Sequence, residues 1–252
     1  MNGTVVQWGI VATGGIAAKF AQACNFESNR SGKSIIAAVA SRSLDKALDF
    51  AQKWSIPRAY GSYEELFADP LITAVYIATP HSSHPELSIQ ALKAGKAVLC
   101  EKPVAITLKD FLPVIQTARE CKLFFMEAMW MKFNPCFQKM LSWIQEGRIG
   151  RVKYLRSDFF LDAPFNPAGR YYNPALGGGA LLDVGIYPVT CAVMVGGRRR
   201  PQSIDSWMRF AQTGVDLYGK VRMVWDDALV ADLASSIDLQ GLDHMSSAVV
   251  IG

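Results

Sequence analysis

The sequence is informative first by what it does without. Its five cysteines, Cys24, Cys100, Cys121, Cys136 and Cys191, are odd in number and contain no C-x-x-C pair, which excludes a disulfide scaffold. Several lie inside apolar runs and read as small buried hydrophobes in a reducing compartment. Strong charge is also missing. The net charge is only +4, and the one dense basic run, Arg198-Arg199-Arg200, sits between Gly-Gly and Pro201. That run reads as a solvated loop, and nucleic-acid partners are excluded because they require a wider basic face. No uninterrupted apolar run reaches about 18 residues, so no membrane span is expected. The N-terminus "MNGTVVQWGIVATGG" lacks a basic region followed by an apolar signal core, and the expected location is cytoplasmic. There are no repeats and no low-complexity segments.

What is present is a chain of 252 residues, half hydrophobic and 19% charged, enough for a globular protein of two domains. In its first half the apolar strands "TVVQWGIVA", "SIIAAVAS", "AVYIAT", "AVLCEK" and "LFFMEA" alternate with helical segments. "PELSIQALKAG" carries Pro85 at a helix start and Gly95 just past its end, and "SYEE" at 62–65 predicts a capping box. Wholly apolar strands alternating with helices predict a doubly wound parallel sheet over residues 1–128. From 129 to 252 the pattern changes. A helix at 134–146, an alternating strand "RVKYLRSDFFLD", a glycine-led helix "GGGALLDVGIYPVTCAVMV" and successive strands from 202 onward predict an α+β domain with a mixed, largely antiparallel sheet.

After the first strand, Ala12-Thr13-Gly14-Gly15-Ile16-Ala17 matches the dinucleotide fingerprint G-x-G-x-x-G/A, with Ala12 in place of the first glycine. Gly14 lets backbone approach a pyrophosphate, Ala17 holds the helix close to the strand, and the helix N-terminus offers oriented N–H groups. The alternative is a tight turn with no ligand. The second strand ends in Ser41-Arg42-Ser43, without the acid that takes ribose hydroxyls. Arg42 with flanking hydroxyls suits a 2′-phosphate, so NADP is expected over NAD, against the alternative of a plain surface arginine.

Two further strands of this half end in chemistry-bearing residues. "ATPHSSH" places Thr79, Pro80 and His84 at a carboxyl strand end, and "CEKP" places Glu101, Lys102 and Pro103 at the next. Ligands of open α/β sheets bind at that edge. His81 and His84 have H-x-x-H spacing, but a metal needs more ligands, and none is expected. In the second half Asp183 and Tyr187 stand four apart on one predicted helix, with Pro188 expected to kink it. The pair reads either as a structural hydrogen bond or as proton-handling groups. A phenol beside an ammonium titrates lower than its free value of about 10 and then serves as acid/base in a hydride transfer.

The motifs "GIVATGGIA", "ATPHSSH", "CEKP", "FMEAMWMKFNP" and "LGGGALLDVGIYPV", in this order, resemble the Gfo/Idh/MocA family, nearest its dihydrodiol and NADP-dependent sugar dehydrogenase branch. The resemblance implies that Lys102 lies beside the nicotinamide and the substrate hydroxyl, that Tyr187 is the proton donor or acceptor, and that Asp183 positions the substrate. It further implies that Trp130 and Lys132 line the cofactor and substrate cleft, Lys132 standing where an arginine is commoner, and that Arg170 contacts a hydroxylated substrate or ties down the helix start. A homodimer through the second sheet is implied too. The chain ends in "HMSSAVVIG", where relatives continue, so a truncated sheet is expected.

The expected function is an NADP-dependent oxidoreductase acting on a sugar or cyclic diol. The rival is a non-catalytic NADP-binding sensor or an inactive homologue; a biliverdin-reductase-like enzyme is disfavoured by the full E-K-P and Asp-x-x-x-Tyr pair.

Overall fold

A strand apolar at every position must be covered on both faces. The computed structural model describes residues 5–225, 229–239 and 245–252 and divides the chain into two compact units, Met1–Ala128 and Met129–Gly252. In the first, β1 (Val6–Val11), β2 (Ser34–Ala40), β3 (Ala59–Tyr60), β4 (Ala74–Ile77), β5 (Ala97–Cys100) and β6 (Phe125–Glu127) form one parallel sheet in the order β3-β2-β1-β4-β5-β6. The helices α1 (Gly15–Ser31), α2 (Leu44–Trp54), α3 (Tyr63–Ala68), α4 (His84–Lys93) and α5 (Leu108–Glu120) connect the strands.

Side chains divide between two cores as strand pleating requires. Ile10, Val39 and Tyr76 pack with Ala17, Ala21 and Phe50 of α1 and α2. Their chain neighbours Val11, Ala40 and Ile77 pack with Leu87, Leu92 and Val114 of α4 and α5. Each buried Ile or Leu contributes about 1.5–3 kcal/mol, so the unit has a double core of its own. Ser43, Ser62 and Thr107 cap α2, α3 and α5 by accepting the N–H of Lys46, Glu65 and Asp110. The expected capping box at 62–65 closes one residue early: the Glu65 carboxylate accepts from the Gly61 N–H, which like the cap's own N–H has no helical partner.

In the second unit α6 (Pro135–Gln145) precedes β7 (Tyr154–Phe160). A π-helical turn (Leu181–Gly185) runs into α7 (Ile186–Val195), and β8 (Ser203–Phe210), β9 (Asp216–Val224), β10 (Val230–Ser236) and β11 (Met245–Ile251) follow. The mixed sheet runs β11-β7-β10-β9-β8, with β7 and β10 parallel and the other pairs antiparallel. One face packs on the helices, Leu155, Ala231 and Leu233 meeting Cys191, Ala192 and Val195, with Phe137 and Met140 alongside. On the other face, cross-strand neighbours Asp205, Arg222, Asp232 and Arg156 alternate in charge across four strands.

The structure amends three expectations. Pro188 does not simply kink a helix; the preceding turn widens to the π form, which accommodates a residue lacking an N–H. The helical stretch Pro174–Val195 is apolar and long enough to cross a bilayer, with mean hydropathy 1.6, although Asp183 interrupts its apolar run. Over half of its apolar window is buried, as in a core helix. Of the five free cysteines, Cys24, Cys100 and Cys191 are buried, whereas Cys121 and Cys136 are exposed. Thr4, residues 226–228 and His244, read in sequence as strand ends, lie outside the described residues.

Candidate active site

In the first unit, β1 delivers the chain into a turn at Ala12, whose φ of +93° is a conformation that favours glycine. The residue replacing the first fingerprint glycine thus adopts a glycine-like backbone, and its N–H stays in the sheet, donating to Ala40. Gly14 occupies the cap position of α1 without any side-chain cap, and the first turn contains no acid. A Cβ placed on Gly14 or Gly15 meets nothing within 4 Å. An uncapped helix N-terminus beside open, side-chain-free backbone is a fit for a pyrophosphate. Ala17 is fully buried and holds α1 to the sheet; Ile16 is exposed and Thr13 half-buried.

At the end of β2, Ser41 is buried and its hydroxyl accepts the Ser43 N–H, whereas Arg42 is exposed. Arg42 hydrogen-bonds the Tyr63 side chain; burial pushes that phenol up, and the guanidinium pulls it back. One exposed cation and a hydroxyl group flank the strand end, with no carboxylate among Ser41, Arg42 and Ser43.

The ends of β4 and β5 are fastened by buried side chains. His84 has no exposed surface, and its ring nitrogens stand 2.7 Å from the Pro103 carbonyl and 2.8 Å from the Thr79 carbonyl. It therefore joins the two strand-end loops. Burial pushes its imidazole below the ordinary range, with Lys102 adding to the effect, while the two carbonyls oppose it. Thr79 is half-buried and accepts a hydrogen bond from Ser83, and Pro80 is exposed. Glu101 is also buried: its carboxylate accepts from the Tyr76 hydroxyl and from the Lys102 N–H at 3.2 Å. Burial pushes this carboxyl up, with Tyr76, the Lys102 N–H and the Lys102 charge pulling it down. Glu101 thus anchors the backbone from which half-buried Lys102 emerges, and the Lys102–Pro103 peptide is cis. Glu127, at the end of β6, accepts the Val104 N–H at 3.2 Å and completes the support. Sequence reading missed Glu127 because nothing but its place at a strand end marks it.

In the second unit the π turn holds Asp183, buried and paired with Arg170 at 2.8 Å. The Arg170 guanidinium lies over the Tyr171 ring and bonds its hydroxyl at 2.6 Å. Arg170 is therefore tied to the helix start while its side chain stays 53% exposed, so contact with a ligand is not precluded. Gly185 lets this turn lie on β10, since a Cβ there meets Ser235 Oγ at 2.8 Å. The half-buried Tyr187 hydroxyl accepts the Trp130 indole N–H at 2.9 Å, and the Phe159 ring packs 5.2 Å away. Phe159 sits in the alternating strand, where nothing separates it from a core residue. Trp130, Phe159, Tyr187, Met140, Cys191 and Ser247 line part of a cavity of about 340 Å³. Lys132 is exposed. Among the described residues no three His, Cys, Asp or Glu side chains form a metal cluster.

Residues 6–129 match a family model described as oxidoreductase family, NAD-binding Rossmann fold, and residues 137–252 match the GFO/IDH/MocA C-terminal domain. The chain is 40% identical over 211 residues to the trans-1,2-dihydrobenzene-1,2-diol dehydrogenase of Mus musculus, a match covering 84% of this chain and 62% of that protein. It is 37% identical over 235 residues to the Homo sapiens protein of the same name, covering 93% and 69%. The chain thus spans less than two thirds of the mouse relative's length. A 3-ketoreductase from Actinomadura kijaniata, solved in complex with NADP and TDP-benzene, shares the fold with a TM-score of 0.87 at 24% identity, over 99% of this chain and 74% of that one.

Proposed function

This chain belongs to the GFO/IDH/MocA oxidoreductase family, and on that premise we propose that it is an NADP-dependent oxidoreductase of sugars or cyclic diols. The supporting observation is the carboxyl edge of the parallel sheet. There β1 ends in an open phosphate cradle, and β5 ends in a lysine whose backbone is fastened by Glu101 and His84. Bound nicotinamide supplies the acceptor or donor of a hydride. The chain's own residues do the rest. Lys102 polarises the reacting oxygen, and Tyr187 takes the hydroxyl proton as the carbon loses its hydride and becomes a carbonyl, returning it in reduction. Asp183, with Arg170, orients neighbouring hydroxyls. The diol dehydrogenases named above support a vicinal diol or the related groups of a sugar.

Arg42 and the absence of an acid after β2 support NADP over NAD. The uncovered face of the second sheet supports a homodimer, because a two-fold axis lays its alternating charges acid against base. The free thiols fit a reducing cytoplasm. The test follows NADPH absorbance against aldoses, dihydrodiols and dicarbonyls. Lys102→Met is expected to abolish turnover while leaving NADPH affinity within about threefold. Unchanged turnover overturns the assignment, and NADPH binding without turnover on any substrate favours the sensor.

A further inference from the structure

The helix that carries Asp183 and Tyr187 begins at Ala180, which has no side-chain acceptor, and no residue at its start caps it. Yet the first N–H groups of a helix have no helical partner and need one. The acceptor comes from β9. The Asp216 carboxylate accepts the Leu181 N–H at 2.6 Å and also bonds the Ala180 N–H. Gly179 records how closely it sits: at φ +115° its missing Cβ would overlap Asp216 Oδ1, so the carboxylate fills the space a side chain would need. An anion at this end also complements the helix dipole.

The turn so fastened is the π turn. It bears Asp183 two residues after Leu181, and Tyr187 follows in α7. The approach to this turn is set by backbone, with Gly177 and Gly179 at positive φ and the Gly178 and Gly179 N–H groups donating to the Asn173 and Tyr171 carbonyls, while Arg170 holds Asp183 from outside the helix.

We propose that Asp216 is a positioning residue for the acid/base helix, its carboxylate setting the start of the π turn and hence the placement of Asp183 and Tyr187. The proposal rests on the oxidoreductase reading for its catalytic consequence, though not for its structural one. Both are read in one experiment, combining hydrogen–deuterium exchange across residues 180–187 with steady-state kinetics under NADPH. In Asp216→Ala, exchange is expected to rise about tenfold from Leu181 through Tyr187 and kcat to fall about tenfold, with the NADPH KM within about twofold. Asp216→Asn keeps an acceptor oxygen and is expected to restore kcat to within about threefold. Gly179→Ala displaces the carboxylate with Asp216 intact and is expected to reproduce the loss, which keeps the test open should Asp216→Ala not fold. Faster exchange confined to Ala180 and Leu181, or unchanged kcat beside faster exchange, overturns the proposal. If the unaltered protein turns over no substrate, the oxidoreductase reading fails, and the spread of exchange to Tyr187 alone decides whether Asp216 positions the helix.

Discussion

The two sheets hold their functional groups in opposite ways. The parallel sheet is covered on both faces and offers Lys102 at a strand end, where buried Glu101 and His84 clamp the backbone. The mixed sheet is covered on one face and leaves the work to the covering helix, where a π turn and the Arg170–Asp183 pair set the side chains. The first arrangement is covered by helices on both sides; the second leaves a face of alternating charges without a covering helix.

The largest effect is expected where proton handling is separated from nucleotide binding. Tyr187→Phe is expected to lower kcat about 10²–10⁴-fold while NADPH binding, measured by fluorescence titration, stays unchanged. A matching loss of affinity would abolish the division of labour. Next, Leu92→Ala empties part of the doubly covered core and is expected to cost about 2–5 kcal/mol in urea unfolding. Arg222→Glu, on the uncovered face, removes the exposed ion pair with Asp232 and is expected to change monomer stability little. For the proposed homodimer its larger effect is expected in sedimentation velocity, as a shift towards monomer.

Acid should act on the clamp of the first unit. Burial pushes the His84 imidazole below its ordinary range, so its contribution is complete above the free imidazole range and is lost as pH falls. The melting temperature is expected to drop between about pH 7 and pH 5, and His84→Gln to flatten that dependence. The smallest effect is expected at the cradle: Ala12→Gly relieves a left-handed backbone and should add up to about 1 kcal/mol, seen as a higher melting temperature.

The doubly wound half was readable because its strands are apolar end to end and its helices carry serine and threonine caps. Helix α5 was not singled out, as Pro113 breaks its pattern from within. In the second half, the strands from 202 onward declared themselves by alternation, but the π turn did not, since Pro188 says only that an N–H is missing. Lys102, Asp183 and Tyr187 were legible as residue types at revealing places. Their supports were less so: the bridge that buried His84 makes between two strand-end loops has no local signature, Glu127 carried no signal, and Asp216 caps a helix far from it in sequence. Local pattern reports which groups a strand or helix presents, whereas long-range hydrogen bonds decide how they are held.

The indole N–H of Trp130 rests on the phenol oxygen of Tyr187. Ionising that phenol strengthens the bond and places a quencher against the ring, so the emission of this tryptophan follows the charge on its neighbour. Trp130 is therefore expected to serve as an optical gauge of Tyr187, the proposed acid/base group, checked by comparing emission across pH with Trp130→Phe.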